Sequence, residues 1–399
     1  MQYTTPNRKV GTIFGTTKQE LEVPRKGGDQ IVFVSVVILM IFGSLAVFSS
    51  IAFFAESHGR SAADLAVRHV IKMGIALCVM LFISKINYNV LARFSRLAIL
   101  LSWMLLFAVL IFGELQFGAR RSLTVGFISF QPSSIAASAL ILHVGVLLHE
   151  KQEYIKSFKR AFLPIMFWVG ITFSLIAIED FSSAAVLLGI CILMMFVGRI
   201  SMAQLAGFIL IGLVLSAGFI YSSAERQSRI TSYVTQVTEA NNVRFDSGNG
   251  YQAQQAHIAI AQGELFGVGI GKSTQRDFLP APYNDFIFAI IAEEYGILGS
   301  SAIIILFTII LFRGIVIIAK HAPNPLGTLL AVGATLMVCL YGLVNAAVAT
   351  GLFPVTGLPM PFVSYGGTSM LFASVMTGIL LNISKFSVHP KERLQTAEL

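Results

Sequence analysis

One aspartate in this chain sits where a long polar segment meets an apolar helix. The segment runs from Ser223 to Asn284, 62 residues, and Asp285 follows it within LPAPYNDFIFAIIAEEYG (Leu279 to Gly296). An ionisable group at a membrane boundary is costly if it goes deep, so it usually has a task or a partner. A carboxylate in this place can serve as a general base or hold a divalent cation such as Mg or Mn. The start of a helix favours its ionised form through the helix dipole, whereas partial burial favours the neutral acid. The same position also suits a helix cap, in which Asn284 or Asp285 accepts hydrogen bonds from free backbone N–H groups. Further along the run, Glu293 would lie about 12 Å deeper on a regular helix, and Glu294 points roughly the opposite way from Asp285. Pairing inside a bundle suits those two better than catalysis.

Other candidates lie in the outer loops. The polar segment contains GYQAQQAHIAIAQGELFGVGIGKSTQRDFLP (Gly250 to Pro280). From Tyr251 to Ile260 the composition favours a short amphipathic helix lying on the membrane surface. GVGIGKS is not a nucleotide loop: three residues separate Gly267 from Gly271 where a Walker motif needs four, and no strand precedes it. Glycine-rich backbone with Lys272 and Arg276 can still hold a phosphate or pyrophosphate, the alternative being an ordinary flexible loop. In GARRSLTVGFISFQPSS (Gly118 to Ser134), Arg120 and Arg121 are either anion-binding groups or solvated arginines. Glu179 and Asp180 form a further pair, at what is also a plausible polar hairpin tip. GLFPVTGLPMPFVSYGG (Gly351 to Gly367) holds three prolines and four glycines. It is fit to shape a pocket but poor in acid–base groups. His69, His143 and His257 do not fall at a metal-binding spacing.

The elements that must position these residues are membrane spans. Of the 399 residues, 55% are apolar and only 12% charged, with a mean hydropathy of +0.78. That composition excludes an ordinary soluble globule and makes the chain an all-α integral membrane protein. Apolar runs of crossing length fall at 31–55, 70–86, 97–113, 132–148, 162–178, 182–198, 203–222, 285–312, 326–349 and 367–384, a polytopic bundle of ten helices. The run at 285–312 is too long for one simple crossing and is expected to project beyond the bilayer. Eighteen Lys and Arg fall on one side and nine on the other, only four of those nine in short loops. The positive-inside rule therefore puts both termini in the cytoplasm and the long loop, residues 223–284, outside. The net charge of +8 reflects these inner loops and calls for no nucleic-acid partner. Residues 1–28 and 386–399 read as cytoplasmic tails flanking a membrane domain at 29–385. Because the N-terminus is polar to about Gly28, no cleavable signal peptide is expected. The cysteines (Cys78, Cys191 and Cys339) all lie inside apolar runs and suggest no disulfide framework.

Taken together, FQPSS, ERQSRITSY, GYQAQQAHIAIAQGELFGVGIGKS, FLPAPYNDFIFAIIAEEYGILG and GLFPVTGLPMPFVSYGGTS resemble, in order, the motifs of the SEDS family (shape, elongation, division and sporulation). The likeness runs from about Asp29 to Lys385. It implies a ten-helix membrane glycosyltransferase that polymerises lipid II, the undecaprenyl-pyrophosphate-linked disaccharide peptide, into peptidoglycan. The essential aspartate of the family's NDFIF-like motif falls on Asp285. STQRDFLPAPYNDF and RITSY are more similar to the division-type FtsW branch than to the elongation-type RodA branch. The division type implies a class B penicillin-binding protein transpeptidase and other divisome proteins as partners. There are departures. Where the family's first outer motif usually has Glu and Lys, this chain has Ser134 and Ala137. The family's Arg-Trp pair is Arg121-Ser122, and its Pro-Asp-x-Gly turn keeps only Asp180.

The implied reaction joins a GlcNAc 4-hydroxyl to the anomeric carbon of a MurNAc, with inversion and loss of undecaprenyl pyrophosphate. It needs a base, for which Asp285 is the candidate, with or without a divalent cation. It needs positive charge at the departing pyrophosphate, for which Arg121, Lys272 and Arg276 are candidates, and Asp180 is retained as a substrate-binding group. It also needs an apolar groove for lipid tails. Two rival readings remain at this point: a transporter for the same lipid, drawing on the span residues Lys72, Asn345 and Glu293, and a non-catalytic scaffold.

Overall fold

The computed structural model describes residues 28–57, 61–116, 119–125, 128–239, 245 and 248–387. The tails read from the sequence lie almost wholly outside these. The helices are α1 (Gln30–Ser57), α2 (Ala62–Ile83), the short α3 (Tyr88–Arg93), α4 (Ser95–Phe112), α5 (Pro132–Glu150), α6 (Leu163–Ala177) and α7 (Phe181–Val197). They continue as α8 (Met202–Tyr221), α9 (Ala224–Glu239), α10 (Gly248–Gly263), α11 (Ile287–Phe312), α12 (Pro325–Ala349) and α13 (Gly367–Phe386). Among the described residues nine helices are long and apolar enough to cross a bilayer, and the apolar α7 is a shorter tenth at 17 residues. Each falls on one of the expected runs, because a continuous apolar stretch must satisfy its backbone internally in lipid. One addition lies in the loop after α4. Strands β1 (Glu114–Gln116), β2 (Ala119–Val125) and β3 (Ile128–Phe130) form a small antiparallel sheet, with Leu115 opposite Arg120 and Thr124 opposite Ser129.

The centre of the bundle is built by α5, α7, α12 and α13, through Leu140, Ile141, Leu187, Met194, Leu330 and Ile379. The outer surfaces of α4 and α8 expose Phe107, Phe112, Leu210 and Val214, as lipid-facing helices do. At the end of the bundle opposite the long loop, Arg313 pairs with Asp29 at 2.5 Å, tying the start of α1 to the end of α11.

The long run that begins near Asp285 does not project as one rod. It breaks at Gly296, whose φ of 68° and ψ of −165° are far from helical. Two anchor points show the consequence. Cys339 of α12 lies against the Phe307 carbonyl, and Asn345 of α12 binds the Asp285 carbonyl. Those anchors are about 9 Å apart along α12, whereas an unbroken helix from Asp285 to Phe307 would cover about 33 Å. The first half of α11 is therefore folded back across the bundle instead of standing out of it.

The segment after α10 fills the break. Val268 N–H donates to the Glu293 carbonyl (2.9 Å), Gly269 N–H to that of Glu294 (3.1 Å), and Ile297 N–H to that of Glu264 (2.9 Å). A side chain at Gly296 would meet the Leu265 carbonyl at 2.4 Å, so only glycine permits this contact. The helix expected at 251–260 is present as α10. It does not simply lie on a surface: Ala253, Ala256, Ala259 and Gly263 are buried, with Gly263 packed on the Ala292 carbonyl of α11. The helix of the outer loop that buries nothing is α9.

Candidate functional site

Asp285 lies in the turn just before α11, half-buried, with one carboxylate oxygen shielded from solvent. It is not the helix cap. That position belongs to Phe286, which makes no side-chain capping bond. What fixes Asp285 is a backbone clamp supplied from far along the chain. Tyr365 N–H donates to the Tyr283 carbonyl at 2.9 Å, and Ser364 Oγ to the Asn284 carbonyl at 2.7 Å. Asn345 Nδ2 donates to the Asp285 carbonyl at 2.9 Å and to the Leu358 carbonyl at 2.7 Å. Three successive carbonyls of the Asp285 turn are thus held by α12 and by the loop 351–366. That loop also packs Phe362 and Val363 against Gly43 of α1. Its prolines and glycines make it stiff enough to carry the clamp.

Around the turn lies an aromatic and cationic wall. The Tyr283 and Tyr365 rings meet edge-on at 5.7 Å between centroids, and His69 lies 5.4 Å from Tyr365. Lys72 of α2 holds its ammonium 4.6 Å above the Tyr365 ring. Burial, reinforced by Tyr365 and Asp285 nearby, pushes the Tyr283 phenol up to about 12, so it stays protonated and able to donate. Sequence reasoning placed Lys72, Asn345 and Glu293 together as polar span residues that would suit a transporter. The structure separates them: Lys72 and Asn345 belong to the surroundings of Asp285, and Glu293 belongs to a loop anchor. A polar residue inside a span was the available signal. Its address was not available, because the partner can be distant in the chain: Asn345 reaches Asp285 across 60 positions.

The glycine-rich loop turns its donors toward the protein. Glu293, fully buried, accepts from Ser273 Oγ (2.5 Å), Thr274 N–H (2.8 Å), Thr274 Oγ1 (3.1 Å) and Gln275 N–H (3.3 Å). Glu294 accepts from Ser49 of α1. Arg276 donates to the carbonyls of Ser49 (3.0 Å) and Gly271 (3.1 Å) and lies beside Asp277 at 3.3 Å. Arg276 is thus engaged in holding the loop, and the backbone donors of residues 273–275 are taken by the Glu293 carboxylate. Lys272 is exposed at the loop surface.

Asp180 is the N-cap of α7, buried, accepting from Ser183 N–H (3.2 Å), Ser183 Oγ (2.6 Å) and Gln131 Nε2 (3.4 Å). Arg121 lies on β2, and its side chain falls outside the described residues. A groove of about 630 Å³ is framed by Phe181, Ile220, Arg226, Arg229, Val344 and Phe353. Asp285 is not in its wall. The groove and the clamp nevertheless adjoin, because Val344 and Asn345 are neighbours on α12. Arg226 closes one end by donating to the carbonyls of Phe219 (3.1 Å), Ala177 (3.1 Å) and Ile178 (2.8 Å).

These apolar helices, with a half-buried and backbone-clamped carboxylate among them, define a polytopic membrane protein. The chain belongs to the FtsW/RodA/SpoVE family of cell cycle proteins, whose model matches residues 29–389. It is 37% identical over 369 residues to stage V sporulation protein E of Bacillus subtilis (strain 168), covering 90% of this chain and 97% of that protein. It is 30% identical over 363 residues to a probable peptidoglycan glycosyltransferase FtsW of Geobacter sp. (strain M18), covering 90% and 97%. The fold matches that of a chain from a peptidoglycan synthase complex solved for the coordination of polymerization and crosslinking. There the TM-score is 0.71 at 22% identity, covering 90% of this chain and 98% of that one. It also matches the rod shape determining protein RodA of Thermus thermophilus, with a TM-score of 0.65 at 22% identity, covering 91% and 98%. Ser134 and Ala137, where the family usually has Glu and Lys, line a cavity of about 30 Å³ with Gln131, Pro359 and Ser369.

Proposed function

We propose that this chain is a peptidoglycan glycosyltransferase that polymerises lipid II at the outer face of the cytoplasmic membrane. The observation that carries the reading is the clamp on Asp285, in a chain of the FtsW/RodA/SpoVE family. Asp285 acts as the general base. It takes the proton of the acceptor 4-hydroxyl as that oxygen attacks the anomeric carbon of the donor. The bond from that carbon to the pyrophosphate oxygen breaks, and its electron pair leaves with undecaprenyl pyrophosphate. Configuration inverts. The driving force is the pyrophosphate bond of the substrate, so no nucleotide is required. Apolar walls such as that of the groove between α7, α8 and α9 suit polyprenyl chains.

A protein-held metal site does not fit: among the described residues no three His, Cys, Asp or Glu gather where they could hold an ion. A Mg or Mn ion at Asp285 would need diphosphate oxygens for most of its ligands, and the proposed step does not depend on one. The resemblance of the Asp285 motif to the division branch, with relatives named FtsW and a sporulation protein, supports a septal role. A class B penicillin-binding protein and other divisome proteins are the partners in that role. The charge distribution supports cytoplasmic termini.

The test is lipid II polymerisation by purified protein with its transpeptidase partner, comparing wild type with Asp285→Ala. Glycan strands from wild type alone are expected. Strands from both would remove Asp285 from the mechanism. Strands from neither, with folded protein, would overturn the polymerase reading.

A further inference from the structure

Lys72 stacks on Tyr365 of the loop that clamps the Asp285 turn, and the proposed reaction gives it no role. It lies midway along α2, within a candidate membrane span of 22 residues. An ammonium at that depth is costly unless an anion meets it. One turn away, Arg68 follows the usual solution and pairs with Asp64 at 2.8 Å. The other ion pairs among the described residues join Arg229 to Glu225, Arg276 to Asp277 and Arg313 to Asp29, and none includes Lys72. Its one close partner there is the face of Tyr365, at 4.6 Å. A cation–π contact steadies an ammonium but leaves its charge uncompensated.

The surroundings keep that charge beside the catalytic turn. The side chain lies along the start of α13, where a Cβ on Gly367 would meet Cδ at 3.4 Å, Cε at 3.5 Å and Nζ at 3.7 Å. Those are ordinary van der Waals distances, so the lysine chain is packed directly on residue 367. Tyr365, under the ammonium, is the residue whose N–H grips the Tyr283 carbonyl, two positions before Asp285. His69, three positions before Lys72 on α2 and 5.4 Å from the same ring, brings no negative charge. The same clamp therefore holds a base and, one ring away, a cation.

From this geometry we infer that Lys72 is the substrate-binding cation that receives the diphosphate of the polyprenyl-linked donor and balances the charge it gains as the glycosyl bond breaks. The identity of the anion rests on the polymerase reading; the need for an anion at Lys72 does not. No covalent bond to Lys72 is involved. The leaving oxygen takes the electron pair of the broken carbon–oxygen bond, and the ammonium faces the resulting charge.

The experiment uses full-length protein in nanodiscs and measures direct binding of undecaprenyl diphosphate and of undecaprenol. Lys72→Met is expected to weaken the diphosphate roughly tenfold or more, the effect of one lost charged hydrogen bond, and to leave undecaprenol unchanged. Lys72→Arg should restore most of the loss. In lipid II assays Lys72→Met should raise KM and relieve inhibition by undecaprenyl diphosphate. Equal loss for both lipids, unrescued by arginine, would make Lys72 only a support for Tyr365 and overturn the inference. So would unchanged binding in a variant that melts like wild type. Should Lys72→Met fail to fold, amine-reactive labelling of wild type read by mass spectrometry decides instead. Protection of Lys72 by the diphosphate but not by the alcohol supports the assignment, and equal labelling rejects it. Diphosphate binding through Lys72 without any strand synthesis would sink the polymerase reading and leave the cation site standing.

Discussion

Asn345 binds the carbonyls of Asp285 and Leu358 with one amide nitrogen, and so couples the Asp285 turn to the loop 351–366. Both carbonyls lose water at this depth, so each needs a donor. Asn345→Leu keeps the volume and removes both bonds. It should cost about 1–3 kcal/mol in stability and lower kcat well beyond any change in KM, since the base drifts while the lipid seat stays. A thermal melt together with lipid II kinetics checks this, and an unchanged kcat would show that the clamp does not position Asp285. At this scale the sequence showed Asp285 plainly, because a carboxylate at a polar–apolar boundary stands out locally. It did not show the partners, for Asn345, Ser364 and Tyr365 are ordinary residues until the fold brings them to the turn. For Asp180 and Arg276 the sequence suggested substrate contacts, and the fold adds structural bonds: Asp180 caps α7 and Arg276 holds the 271–277 loop. A charged loop residue has the same local signature in either role.

Among the elements, the ten apolar runs were legible because bilayer thickness sets their length. The break at Gly296 was not, since the run around it stays apolar and only the docking of residues 264–269 makes the bend favourable. Glu293 secures that docked loop. Glu293→Ala would leave the Thr274 and Gln275 N–H groups without their acceptor. Faster hydrogen exchange is then expected across 271–280, with α12 protected as before; unchanged exchange would mean the loop is held by its backbone contacts alone. A second element-scale outcome concerns pH. His257 of α10 stands 3.1 Å from Gln236 of α9 and against Gly351, and burial lowers its pKa below 6.5. The unfolded segment therefore binds the proton more readily than the folded one. This contribution to stability is complete above pH 6.5 and declines as pH falls toward the lowered value. Acidification should loosen α9 from α10, and His257→Gln should flatten that response in exchange measurements across 224–263.

For the whole molecule, what decides function is which side of the membrane the clamp faces. On the proposed topology, read from the positive-inside rule, the long loop lies outside and the connection between α5 and α6 inside. Two exposed lysines mark these ends: Lys272 on the glycine-rich loop and Lys156 between α5 and α6. Of the native cysteines, Cys191 and Cys339 are buried and Cys78 is exposed within α2. A Cys78→Ser background therefore leaves little to react with a membrane-impermeant thiol reagent. In intact cells Lys272→Cys should label at once, and Lys156→Cys only after the membrane is opened. The reverse pattern would put Asp285 on the cytoplasmic side and remove the extracytoplasmic polymerase along with the septal role. Labelling of both in intact cells would mean a leaky preparation, which an internal cytoplasmic marker detects. The expected pattern would fix the charge of Lys72, the base at Asp285 and the glycine-rich loop on one outward-facing half of the bundle. A polymerase needs that arrangement, because its product strand must leave into the wall while the polyprenyl diphosphate stays in the bilayer.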